Sequence, residues 1–236
     1  MQLHRMLGID QQSPAHIAIC GGGGKTTLLY ALAREAAATG LKSAIYTTTH
    51  IMRPDAEDMA VFEQNMPQEM FAAWRAGKVV VTGKQLPDGR LAIPPDEITA
   101  FLHKHAEFCV VEADGAKRLP CKFPDHSHEP VIPPQTTMSI VVFGLSALDK
   151  PFSSFCHRAA LAKEKLSLDP PVIDEMTIAR LILAGYAYLK PVVLLNQADN
   201  AELQSRGEHI ANILRQAGLP QVHIISLHQY LAGKIK

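Results

Sequence analysis

The chain has 236 residues, 47% hydrophobic and 19% charged, enough apolar material for a sizeable core in one large domain spanning 1–236. Its 23 basic and 23 acidic residues balance, which argues against the broad basic face of a general nucleic-acid or anionic-membrane binder. Four separated cysteines, Cys20, Cys109, Cys121 and Cys156, form no CxxC pair, which argues against a zinc knuckle.

The opening MQLHRMLGIDQQS has no apolar stretch followed by a small-residue cleavage site, and no run of about 18 apolar residues is present to span a membrane. A cytoplasmic, reducing setting is the expectation. His16 to Cys20 is a short apolar run that enters four glycines, and Thr26 to Thr39 is an Ala- and Leu-rich helix that Gly40 ends. Leu41 to Thr47 is a second apolar run, closed by Thr47-Thr48-Thr49-His50. Strand, loop, helix and strand in that order form the repeat of a parallel α/β sheet. Glu57 to Ala76 is mixed, with a helix near Gln68 to Trp74. Val79 to Gln85 and Arg90 to Ile93 flank Pro87-Asp88-Gly89, which predicts a β-hairpin insert over 77–95. A helix follows over Pro94 to His105, then a buried strand, Phe108 to Val111, ending in Glu112-Ala113-Asp114-Gly115. Proline-rich polar sequence over 117–134 predicts a long loop, and loops of that length are uncommon without a function. Beyond it come a strand at Ser139 to Phe143, helices around Ser154 to Lys163 and Asp174 to Ala184, and a strand at Pro191 to Leu195. An amphipathic helix at Ala201 to Ala217 and a strand at Val222 to Ser226 close the chain. The alternation predicts a doubly wound, mostly parallel α/β sheet of the P-loop NTPase type.

The glycine run carries the strongest chemical signal. Gly21, Gly22, Gly23 and Gly24 let backbone N–H groups converge with no Cβ in the way, and the helix that follows brings its positive dipole end to the same point. Lys25 suits β- and γ-phosphates, Thr26 stands where Mg²⁺ is held, and Thr27 adds a further N–H. The pattern G-x-x-x-x-G-K-[ST] has Ile19 at its first glycine, and Cys20 stands where related ATPases carry a lysine. The phosphate donors are therefore expected mostly from Gly22 to Thr27.

An apolar strand ending in Glu112 and Asp114 supplies carboxylates two residues apart, on one side of an extended strand. Asp114 is favoured for Mg²⁺ or for orienting water, with Glu112 as its neighbour; Lys25, Glu112 and Asp114 form the catalytic candidates. Threonine hydroxyls at a strand's carboxyl end, Thr48 in particular, can reach Mg²⁺ or the γ-phosphate, though threonines are also ordinary strand residues. Asn196-Gln197-Ala198-Asp199 resembles the guanine-reading N-K-x-D, in which Asn and Asp hold the base; Gln197 replaces the lysine, and Asp199 or Asn200 would equally cap the next helix. From the 117–134 loop, Lys117, Arg118 and Lys122 can meet an anion, while His126, His128 and Glu129 can act as acid, base or metal ligands on the substrate side. His157-Arg158 is a fainter candidate for the same face.

Together GGGGKTT, TTTH, EADGAKRLPCKFPDHSHEPVIP, FGLSALDKPF with its following HR, and LLNQAD resemble the YqeC family over nearly the whole chain. Members are described as accessory proteins of selenium-dependent molybdenum hydroxylases, and the family looks like a branch of the P-loop GTPase/ATPase class that includes nickel and cobalamin chaperones. The resemblance places nucleotide residues at Gly22, Gly24, Lys25, Thr26 and Asp114, and substrate-side residues at Lys117, Lys122, His128 and Glu129. It implies Mg²⁺ with ATP or GTP, and as partner a molybdenum hydroxylase or a cofactor-modifying enzyme. The class suggests a homodimer. Three functions follow as expectations: an NTPase driving cofactor maturation, a small-molecule kinase or nucleotidyltransferase, and a nucleotide-gated binding protein without turnover.

Overall fold

The computed structural model describes residues 2–9 and 14–233. Met1 and 10–13, part of the opening read for a cleavage site, lie outside the described residues. The fold is doubly wound α/β: a mostly parallel central sheet of eight strands, with a small antiparallel sheet beside it in the chain. Its elements run in order α1 (Leu3–Met6), β1 (Ala15–Gly21), α2 (Lys25–Ala38), β2 (Ser43–Thr47), β3 (His50–Met52), β4 (Met59–Phe62), α3 (Pro67–Arg75), β5 (Val79–Thr82), β6 (Lys84–Gln85), β7 (Arg90–Ala92), α4 (Asp96–His105), β8 (Phe108–Glu112), β9 (Cys121–Lys122) and β10 (Met138–Gly144). The chain continues through α5 (Phe152–Phe155), β11 (Cys156–His157), α6 (Ala159–Leu166), α7 (Glu175–Tyr186), β12 (Val192–Asn196), α8 (Ala201–Gln216), β13 (Val222–Ile224) and α9 (Leu227–Leu231). The central sheet has the order β13-β12-β10-β1-β8-β2-β5-β4.

Two compact units divide the described residues. The first comprises those of Met1–Ile19, Thr26–Ala113 and Val131–Met138; the second comprises Cys20–Lys25, Asp114–Pro130 and those of Ser139–Lys236. In the first unit, β1 pairs in parallel with β8, β8 with β2, β2 with β5 and β5 with β4. Every residue of β2, β5 and β8 is buried, which is why these strands read as continuous apolar runs without alternation. The expected hairpin over 77–95 is shorter than its apolar flanks suggested. Val79–Thr82 belongs to the parallel sheet as β5, and the antiparallel ladder is β6 with β7 and β7 with β3. Polarity marks the change: β5 is wholly buried, whereas Lys84 and Gln85 are exposed.

In the second unit, β10 pairs in parallel with β12 and β12 with β13. Caps start its helices: the Asp174 carboxylate accepts the Thr177 N–H at 2.7 Å before α7, and the Asn200 side chain accepts the Leu203 N–H at 2.8 Å before α8. The 117–134 segment is not wholly irregular, because β9 pairs with β11, bringing Cys121 opposite Cys156 and Lys122 opposite His157. Among the described residues no helix is long and apolar enough to cross a membrane.

Candidate functional site: a glycine loop and two carboxylates

All four loop glycines belong to the second unit, and each is there because a side chain would not fit. A Cβ on Gly21 would collide with the Val142 carbonyl, one on Gly22 would lie 2.6 Å from the Leu119 carbonyl, one on Gly23 would meet Gly144, and one on Gly24 the Asn196 amide. Gly21, Gly23 and Gly24 also have positive φ, where only glycine is unstrained. Several loop donors are already satisfied. Gly21 N–H donates to Asp114, Gly22 N–H to Val142 O at 2.8 Å and Gly23 N–H to Leu119 O at 3.0 Å. The donors expected from Gly22 to Thr27 are thereby narrowed. The chain runs from Gly24 straight into the first turn of α2, whose N–H groups point out of the helix end.

Asp114 is the hub of the second unit's loop region. Its side chain is 0% exposed, and its Oδ2 accepts the Gly21 N–H at 3.0 Å and the Tyr186 hydroxyl at 3.0 Å. Lys25 Nζ lies 3.3 Å from Asp114 Oδ1 and donates to Gly21 O at 2.7 Å. On the other side, Lys122 Nζ is 3.2 Å from Asp114 Oδ2, 2.6 Å from Glu129 Oε1, and donates to Gly115 O at 2.5 Å. Arg158 Nη1 closes the chain of charges at 2.6 Å from the same Glu129 oxygen. Burial pushes the Tyr186 hydroxyl well above its ordinary range, and the Asp114 charge adds to that, so Tyr186 is held as a donor. Burial, then Asp114, likewise raises the Cys20 thiol, which is inert by the same physics.

Lys122 was expected, with Lys117 and Arg118, to be able to meet an anion from the 117–134 loop. It is instead 0% exposed and engaged with three oxygen groups. Lys117 and Arg118, in contrast, are exposed and both adopt left-handed backbone, φ 49° and 62°. Their turn presses the next two carbonyls on the loop region: Leu119 O accepts from Gly23, and Pro120 O accepts from Gly144 at 2.9 Å. His126 and His128 are exposed, with the His126 ring edge-on to Phe123 and Tyr188. Among the described residues no group of three or more His, Cys, Asp or Glu side chains could hold a metal ion, so these histidines assemble no such cluster with Glu129.

Asn196, expected at the base, bonds the glycine loop itself. Its amide donates to Gly23 O at 2.8 Å and its carbonyl accepts the Leu227 N–H at 3.0 Å, so both ends are engaged. Asp199 is exposed and takes the Ser226 hydroxyl. Gln197 sits at φ 65° with its carbonyl accepting from Ser146 at 2.5 Å.

The first unit presents a different arrangement. Thr26 Oγ1 donates to Glu112 Oε2 at 2.8 Å. Thr47 Oγ1 donates to the Glu112 carbonyl at 3.1 Å, Thr48 N–H donates to it at 3.0 Å, and the Thr48 hydroxyl lies 3.4 Å from it. The threonine run therefore cements the end of β2 to the end of β8. Sequence reasoning missed Tyr186 as a partner of Asp114, since a tyrosine at the end of an apolar helix carries no local signal.

A family model described as YqeC protein matches residues 17–160, which include the glycine loop, both carboxylates and the 117–134 segment. A protein of Escherichia coli (strain K12) with the name Uncharacterized protein YqeC is 32% identical over 146 residues, 57% of this chain. The match spans about half, 53%, of that relative's length. With more than half of its length matched by the family model, the chain belongs to the YqeC family.

Proposed function

We propose that this protein binds a nucleoside triphosphate with Mg²⁺ at the glycine loop, and hydrolyses it. One observation carries the reading: four glycines excluded from bearing side chains lead directly into Lys25 and the first turn of α2, an anion-binding helix end preceded by a buried strand. The Thr26–Glu112 hydrogen bond supports a role at Mg²⁺ for this pair, because a hydroxyl and a carboxylate already 2.8 Å apart can share one hard cation. Asp114, surrounded by Lys25 and Lys122, is better suited to anchor the loop than to ligate metal. Hydrolysis would draw on Lys25 and Mg²⁺ to neutralise the phosphates and on Glu112 to orient water. ATP and GTP are both admitted, since Asn196 is engaged with the loop and Gln197 replaces the stacking lysine.

The work done by turnover follows from the family resemblance: maturation of a selenium-dependent molybdenum hydroxylase or of its cofactor. A cavity of about 350 Å³, lined by Phe123, Pro124, His126, Leu161, Leu166 and Ala184 among others, favours as a second reading group transfer to a small acceptor. A thermal-shift panel of ATP, GTP and CTP, with Mg²⁺ and with chelator, tests the proposal. A Mg²⁺-dependent rise with at least one nucleotide is expected, and a flat panel would refute it. Phosphorylated or nucleotidylated product, instead of free phosphate, would select the second reading.

A further inference from the structure

Small residues near the carboxyl end of α7 shape a recess in the second unit. Ala184 presents only a methyl group there, and a Cβ on Gly185 would lie 2.7 Å from Pro124 Cδ, so Phe123 and Pro124 pack close against the helix. On α6, Leu161 and Leu166 remain half-buried, and these residues together line the cavity of about 350 Å³. That volume is in the range of small-molecule sites, and two leucines left partly in water are a cost that an apolar ligand would remove.

We propose that this cavity binds a small anion with an apolar ring body, its rings against Phe123, Leu161 and Leu166 and its carboxylate, sulfonate or phosphate at the mouth. The inference goes beyond the nucleotide reading and does not depend on it. The charge of the head follows from which polar groups at the mouth are already engaged. Asp125, the carboxylate among the lining residues, accepts the Ser127 hydroxyl at 2.5 Å and the Ser127 N–H at 3.2 Å, and Arg158 Nη1 lies 4.0 Å from its other oxygen. The groups left to meet a ligand are donors. Lys165 stands one helical turn after Leu161 on the same face of α6, so its stem covers the apolar wall and its ammonium reaches the mouth. It pairs with Glu164 at 2.7 Å, both side chains being mostly exposed, and the Asp125 charge also reaches it. An exposed pair of this kind is weak and yields to a better-placed anion. Among the described residues the His126 ring nitrogens have no hydrogen-bond partner, so a ring N–H is open to the same head.

Isothermal titration calorimetry of the full chain, in the absence of nucleotide, with naphthalene sulfonate and with neutral naphthol tests this. Wild type is expected to bind the sulfonate at a single site, about tenfold more tightly than naphthol. Ala184→Trp fills the recess from an exposed helical position. It is expected to abolish binding of both probes while circular dichroism shows the chain folded. Lys165→Glu is expected to weaken the sulfonate about tenfold and to leave naphthol unchanged. If Ala184→Trp does not fold, Leu161→Trp takes its place. A folded Trp variant that binds as wild type does overturns the proposal, and so does wild type that binds neither probe. Equal affinity for the two probes, unmoved by Lys165→Glu, overturns the anionic head. A flat nucleotide panel leaves this inference standing, and a cavity that takes no probe leaves the nucleotide reading standing, so the two fail separately.

Discussion

Glu112 and Asp114 are separated by one residue, yet the protein treats them oppositely. Glu112 ends β8 with its carboxylate on a threonine hydroxyl, a neutral partner that can be shared with a cation. Asp114 lies beyond the strand with two lysines, a tyrosine and a glycine N–H around it. The difference shows that a carboxylate's role is decided by the company it keeps and not by its place in a motif. On the reading proposed above, Glu112 would receive the metal, whereas Asp114 fixes the entry of the glycine loop through the Gly21 N–H.

The largest expected effect breaks this contrast from the Asp114 side. Asp114→Ala leaves Lys122 buried with half of its anionic partners and releases Gly21 and Tyr186. A loss of about 3–5 kcal/mol in urea unfolding is expected, whereas Glu112→Ala should cost about 1 kcal/mol. Equal losses would erase the distinction. From the other side, Glu112→Gln should lose about tenfold in Mg-nucleotide affinity while leaving the weaker binding measured in chelator unchanged; the titration is run with and without Mg²⁺. A smaller effect is expected from Asn196→Ala, which strands the buried Gly23 carbonyl and Leu227 N–H: about 1–3 kcal/mol of stability, with no change in the ratio of ATP to GTP affinity. A shift in that ratio would return Asn196 to the base.

The smallest effect concerns pH. His16, His103, His157 and His223 are all lowered from 6.5, each chiefly by burial; His16 adds to the effect at His103, and Lys122 with Arg158 adds at His157. The unfolded chain therefore takes up protons near pH 6.5 while the folded chain resists until lower pH, so stability is full above 6.5 and falls as the pH drops through and below it. Thermal unfolding between about pH 7.5 and about pH 5.5 should show this decline, lessened by His103→Gln.

The alternation of apolar runs made the central sheet legible, because strands buried on both faces announce themselves as Val- and Ile-rich blocks. The turn between β1 and α2 was legible too, since four successive glycines interrupt both the apolar run before them and the Ala- and Leu-rich run after them. β9 and β11 were not: two-residue strands, Cys121–Lys122 and Cys156–His157, have no periodicity to detect. β4 was missed inside a mixed segment for a related reason, its ladder with β5 being set by the neighbour. The burial of Lys122 was not legible, because lysine is almost never fully buried and the charges that permit it here come from positions 114 and 129. Asn196 read as a base contact because motif spacing says where a residue lies in the chain and not which groups its amide meets.

Lys25→Ala tests the account most directly. Asp114 keeps Lys122 in that variant, so the fold should survive with an unfolding midpoint near that of wild type. Titration with Mg-ATP and Mg-GTP should show saturable one-site binding by wild type and its loss in Lys25→Ala. Folded Lys25→Ala that binds Mg-nucleotide as tightly as wild type, or wild type that binds neither nucleotide, would contradict it.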